Sequence, residues 1–172
     1  ATYGSIGAIN PTYLAVEVPS AKALIQHANF RKYYEISITT LDPELARRME
    51  PRAASPERRL DAIATLAIAS VPVGVMVAPV IPGLNDSEIP RILAAAASAG
   101  ATSANWVLLR LAPPLDQIFS DWLAEHYPDR RTRVLNRIRE TRDGRLSDSQ
   151  FGRRMRGTGP YAEQIAALFT VA

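Results

Sequence analysis

Few residues of this 172-residue chain are of types that do chemistry, and one such type is missing altogether. There is no cysteine, which removes thiol nucleophiles, disulfides, Cys-zinc sites and cysteine-ligated clusters from anything these residues do alone. His27 and His126 lie far apart with no ligand spacing around them, so both are read as surface or satisfied side chains and no metal site is expected. Asp116, Asp121, Glu125 and Asp129 scatter along one segment in the manner of a solvated face, and no acid–base pair is assigned to them. Arg110 is the most unusual polar residue, because it interrupts the apolar run A-N-W-V-L-L-R-L from Ala104 to Leu111. A guanidinium buried there needs a carboxylate, with Glu50 and Asp42 as candidate partners, or a ligand anion; a strand-end arginine facing solvent is the alternative.

The second concentration of chemistry is the loop F-G-R-R-M-R-G-T-G from Phe151 to Gly159. Its glycines let backbone N–H groups approach a ligand, and Arg153, Arg154 and Arg156 offer forked donors, with Tyr161 following as a stacking surface. An anion-binding loop is the expectation; a mobile basic tail is the bland alternative. The net charge is only +3, yet arginines crowd the segment from Arg130 to Arg156, which makes nucleic acid a candidate partner. The alternative function for the whole chain is therefore a noncatalytic nucleic-acid-binding or interaction module.

These residues must be positioned by elements that the sequence punctuates clearly. Tyr13 to Val18 has strand character, and Ser20 caps a helix over Ala21 to Phe30. Tyr34 to Thr39 alternates as a β-strand. Asp42-Pro43 opens a helix running to Met49, and Ser55-Pro56 opens another ending near Ser70, each with a capping side chain directly before an N1 proline. Val71 to Val80 is a continuous apolar run, as expected of a strand covered on both faces of a parallel sheet. A loop at Ile81 to Asp86 leads to a helix from Glu88 to Ala99 closed by Gly100, then to the strand Ala104 to Leu111. Helices follow around Phe119, Trp122 and Leu123, over Arg131 to Arg142 with Val134, Leu135 and Ile138 as its stripe, and over Tyr161 to Phe169. Helical crossovers between apolar strands argue for an α/β layer or barrel.

A hydrophobic fraction of 47% against 22% charged residues is ordinary for a globular chain. No apolar run reaches the ~20 residues of a membrane-spanning helix, and Ala1 to Asn10 lacks the features of a signal peptide, so a cytoplasmic setting is expected.

Three segments read together carry a family likeness: S-I-T-T-L-D-P-E-L-A-R-R-M-E-P from Ser37, S-P-E-R-R-L-D-A-I from Ser55, and V-P-V-G-V-M-V-A-P-V-I-P-G ending at Gly83. In order and spacing they resemble the spore photoproduct lyase-like branch of radical S-adenosylmethionine (SAM) proteins. The likeness extends through W-V-L-L-R-L, D-W-L, P-D-R and the arginine-glycine loop to about Phe169. It implies the C-terminal half of a partial (β/α)6 barrel over residues 36–112, with a poorly matched segment at 1–35 and a helical, arginine-rich extension at 113–172. It also implies SAM as cofactor, contacted by Ser37, Thr39, Ala78, Pro79 and Arg110. Intact members of the family hold a 4Fe-4S cluster on a Cys-x3-Cys-x2-Cys loop and cleave SAM to a radical that abstracts hydrogen from a substrate. This chain has neither that loop nor any cysteine, so the resemblance implies a SAM-binding fragment of an enzyme, not competent alone, that dimerises or pairs with a cluster-bearing partner.

Overall fold

The computed structural model describes residues 33–171; the expected strand at Tyr13 to Val18, the helix at Ala21 to Phe30 and His27 lie outside the described residues. The local signals of the sequence are realised where they were strongest. Asp42 sits in extended backbone and its carboxylate accepts from the Glu44 and Leu45 amides, so α1 (Pro43–Met49) starts at its proline. Ser55 does the same for α2 (Pro56–Ile68), accepting from the Arg58 amide.

Three strands form one sheet in the order β1 (Tyr34–Ser37), β2 (Val73–Val80), β3 (Ser103–Leu108). β1 and β2 run parallel with Tyr34 opposite Val73 and Ser37 opposite Met76. Parallel neighbours need crossovers, and α1 with α2, then α3 (Ile89–Ser98), supply them. A single 3-10 turn at Asp86–Glu88 precedes α3, and α4 (Leu115–His126), α5 (Pro128–Glu140) and α6 (Pro160–Val171) follow the sheet. The α/β class expected from the alternating pattern is therefore observed, as a parallel three-stranded sheet with six α-helices among the described residues. No helix among them is long and apolar enough to cross a membrane.

The chain divides into two compact units, one holding residues 33–77 and 91–105, the other 78–90 and 106–171. In the first, α2 packs on β1, and Ile38, Ile63, Leu66, Val75 and Ile92 form a buried core. Val71 to Val80 is buried through most of its length, as its unbroken apolar run required. In the second unit α4 packs on α5 and α5 on α6, burying Leu111, Leu123, Val134, Ile138 and Ile165. Trp106 meets Phe169 there with ring centroids 6.2 Å apart.

β3 ends at Leu108 rather than at the expected Leu111. The pairing runs one step further, since the Leu109 amide bonds the Val80 carbonyl at 2.8 Å, and then the loop 145–159 is tied to the strand end. The Leu108 amide donates to the Met155 carbonyl at 2.9 Å, and the Thr158 amide to the Thr141 carbonyl at 3.0 Å. Gly157 makes this approach possible: its φ is +74°, and a Cβ there would lie 2.7 Å from Leu108 Cδ1 and 2.9 Å from the Thr141 carbonyl oxygen.

Candidate functional site

The carboxyl end of β1 carries a polar network built by three separated stretches of sequence, all in the first unit. Ser37 closes the strand, Glu50 caps the end of α1, and Arg59 lies in the first turn of α2. The Arg59 guanidinium donates through Nε to the Ala54 carbonyl at 3.0 Å and through one terminal nitrogen to both the Ser37 carbonyl at 2.8 Å and Ser37 Oγ at 3.1 Å. Its other terminal nitrogen reaches Glu50 Oε2 at 2.8 Å, and Thr39 Oγ1 donates to the same oxygen at 3.3 Å. The Ser37 and Thr39 hydroxyls thus meet at one ion pair.

The burial of the pair makes it more than a surface salt bridge. Arg59 is 11% exposed and Glu50 29%, so the guanidinium is spent inside the protein while the carboxylate remains open to solvent on one side. Glu50 Oε1 has no protein partner among the described residues, and Ser37 Oγ, accepting one bond, keeps its own proton to donate. Those are one acceptor and one donor, pre-positioned by a rigid cation. Ligands of parallel α/β sheets bind beyond the carboxyl ends of the strands, which is where these groups stand.

The other residues expected at the cofactor fall in the second unit. Ala78 and Pro79 lie in the half-buried part of β2, and the Pro79 carbonyl accepts from the Asn85 amide nitrogen at 3.1 Å. Arg110 lies beyond the end of β3 and is half-buried, not enclosed in a strand. Neither acid proposed as its partner is free for it, since Asp42 caps α1 and Glu50 holds Arg59.

The fully buried arginine is instead Arg142, 1% exposed. It donates to the carbonyls of Leu109 at 3.0 Å, Arg153 at 3.2 Å and Arg154 at 2.9 Å, while its Nε has no acceptor. Burial holds the guanidinium below its usual pKa, Asp148 opposes that, and Arg110 reinforces it. Arg142 thereby fastens the arginine-glycine loop. Within that loop Arg153 pairs with Asp143 and, at 3.6 Å, with Asp148; Arg154 lies over the Phe151 ring and Arg156 over Trp106, with guanidinium carbons 5.5 Å and 4.4 Å from the ring centres. Phe151 itself is 86% exposed.

A third cluster joins the loop after β2 to α6. Tyr161 donates to Asp86 Oδ2, which also accepts from the Gly83 amide at 3.0 Å, and Arg137 covers the Tyr161 ring at 4.5 Å. Burial first, and the bond to the Asp86 carboxylate second, push the Tyr161 phenol up to about 12. His126 is spent on the Trp122 ring, and no group of metal-ligating side chains exists among the described residues. A polar groove of about 330 Å³ lies over α4 and α5, but its central Arg131 is committed to Ser120, bonding its carbonyl at 3.1 Å and its hydroxyl at 2.7 Å.

An uncharacterized protein of Mycobacterium tuberculosis (strain H37Rv) and another of Mycobacterium bovis are each 36% identical to the chain over 107 residues, 61% of its length. The match covers 30% of those relatives, so the chain spans well under half of their length. No solved structure matches. The sequence model of the Radical SAM superfamily matches residues 8–96, which contain β1, β2, Ser37, Thr39, Glu50 and Arg59. That match covers just over half of the 172 residues, and the chain belongs to the Radical SAM superfamily.

Proposed function

We propose that this chain is the SAM-binding part of a radical SAM enzyme of the spore photoproduct lyase-like branch, with its site at the carboxyl end of β1. The observation that carries the reading is the convergence of Ser37, Thr39 and Glu50, from one of the sequence segments that bear the family likeness, with Arg59, from another, on one network within the family match. Intact members of the superfamily use SAM and a 4Fe-4S cluster, and the two groups fare differently against the residues present.

For SAM the donor set fits. Its ribose hydroxyls and ammonium need a carboxylate acceptor and its ring and carboxylate oxygens need donors; Glu50 Oε1 and the Ser37 hydroxyl supply one of each kind at one strand end, with Thr39 spent on Glu50. Arg59 is a positioning residue, holding Ser37 and Glu50 in register. For the cluster the residues do not fit, since it needs thiolate ligands and the chain has no cysteine. In this reading the ligands come from the remainder of an intact protein, or from a partner chain completing the partial (β/α)6 barrel. The substrate is set there too.

Isothermal titration of SAM into the chain tests the reading. The wild type should bind with a 1:1 endpoint, and Ser37→Ala should weaken binding about fivefold to tenfold, the value of one hydrogen bond. No heat of binding from SAM, or an unchanged affinity in both Ser37→Ala and Glu50→Gln, would overturn it.

A further inference from the structure

The groove over α4 and α5 holds two half-buried arginines that use their donors in opposite ways. Along α5 the lining residues Arg131, Leu135, Asn136 and Arg139 recur at helical spacing, and Asp116 and Ser120 face them from α4, all within the second unit. Arg131 has spent its side-on fork: Nε and one terminal nitrogen close on the carbonyl and hydroxyl of the buried Ser120 at 3.1 Å and 2.7 Å. Arg139 is braced but unspent. One terminal nitrogen donates to Asn136 Oδ1 at 3.0 Å, while Nε and the other terminal nitrogen meet no acceptor among the described residues. The Asn136 amide nitrogen, held by the same bond, also has no acceptor among them.

No carboxylate answers these cations. Glu140 pairs with Arg137 at 2.7 Å, and none of Arg131, Arg139 and Asp116 takes part in an ion pair among the described residues. Asp116 stands in the first turn of α4, where one of its oxygens accepts from the Gln117 amide at 2.9 Å and its charge suits the helix start. The lining therefore carries two positive charges against one negative. A guanidinium edge with both N–H groups unused matches two oxygens of a phosphate or carboxylate, a geometry that lysine does not reproduce. The groove, about 330 Å³, has the size of a pocket for a small molecule, not for a polymer. The second Asp116 oxygen is an acceptor for a hydroxyl on such a molecule.

From this contrast we infer that the groove binds the oxyanion of a small hydroxylated molecule, a phosphate or a carboxylate taken side-on by Arg139. Asn136 braces the guanidinium, Arg131 adds charge, and Asp116 receives a hydroxyl. The site is separate from the one at the end of β1, and the inference does not rest on that reading.

The test uses wild type, Arg139→Gln, Arg139→Lys and, as a control for loss of one α5 charge outside the groove, Arg130→Gln. Thermal unfolding is followed with inorganic phosphate, glycerol phosphate or glycerate against chloride at matched ionic strength. In wild type and Arg130→Gln, glycerol phosphate or glycerate should raise the midpoint saturably, and whichever acts at lower concentration identifies the oxyanion. Arg139→Gln should need about tenfold more of it for the same shift. Arg139→Lys, with the charge but not the fork, should recover only part of that loss. Inorganic phosphate, which has no hydroxyl-bearing carbon chain to reach Asp116, should bind wild type more weakly than glycerol phosphate does. Amide chemical shifts of wild type with the better probe should move at Asn136 and Arg139. No saturable response of wild type to either organic probe would overturn the inference. So would equal responses of Arg139→Gln and Arg130→Gln, which would mean diffuse charge, or full recovery in Arg139→Lys. Should Arg139→Gln fail to fold, the lysine variant and the shift map decide the matter, and shifts confined to residues outside α4 and α5 would sink the site.

Discussion

Two arginines, one in each unit, solve opposite problems with the same side chain. Arg59 is buried against a carboxylate, and both its terminal nitrogens hold groups at the end of β1 in place while Nε anchors it to the Ala54 carbonyl. Arg142 is buried against carbonyls alone, and what it holds is backbone: the end of β3 and the arginine-glycine loop. The first arrangement is electrically closed and leaves an acceptor and a hydroxyl facing outward, which is what a binding site needs. The second is electrically open and entirely inward, which is what a clip needs. The difference teaches that a buried arginine is evidence of a ligand site only when its neighbours retain unused donors or acceptors.

Breaking the clip should cost the most. Arg142→Ala strips donors from three carbonyls and opens a cavity, so denaturant unfolding should show a loss of about 3–4 kcal/mol, with the loop 145–159 becoming accessible to protease. If the loss stays under about 1 kcal/mol, the carbonyls find water and the clip is not structural.

The site arginine comes next. Arg59→Lys retains a charge for Glu50 but cannot span Ala54, Ser37 and Glu50 together, so stability should fall by about 2 kcal/mol while SAM affinity falls in parallel with that of Ser37→Ala. A lysine variant that binds SAM as the wild type does would separate the network from the ligand.

A smaller effect, with a pH signature, belongs to Tyr161. Its folded-state pKa of about 12 lies above the ordinary value of 10.0, so the native state holds the proton more tightly than the unfolded state. The stabilisation is fully present below pH 10 and is lost as pH rises toward 12. Tyr161→Phe should cost about 1 kcal/mol at neutral pH and remove that alkaline arm from the stability profile. An unchanged arm would assign the titration to another group.

The smallest shift is expected from Arg153→Gln. The bond from Arg153 holds the Asp143 carboxyl below the usual aspartate range, so the contribution of the pair is present above that range and is lost on acidification. The variant should match wild type at low pH and fall only slightly behind it near neutrality, measured by thermal unfolding across pH. Equal midpoints at every pH would mean that the pair, exposed as it is, adds nothing.

What the sequence disclosed, it disclosed locally. Asp42-Pro43 and Ser55-Pro56 are complete helix starts in two residues, and the apolar run of β2 reports its own burial. Arg110 drew attention because it broke a run, yet the strand ends at Leu108 and both suggested partners are used elsewhere, facts that depend on residues far away in the chain. Arg59 and Arg142 drew none, although a signal was there. Arg59 falls on the stripe continued by Ala62, Ile63 and Leu66, and Arg142 on that of Val134, Leu135 and Ile138, so each extends a buried face by one helical turn. Helical period marks such an arginine as inward; only tertiary structure says whether a carboxylate or a carbonyl receives it.

The central claim is that SAM is held by the network at the end of β1. Amide hydrogen exchange of the wild-type chain with and without saturating SAM addresses it directly. Slowed exchange is predicted across Tyr34 to Glu50 and at the start of α2 around Arg59. Saturated binding that leaves those first-unit amides exchanging at their free rates, with protection elsewhere, would contradict it.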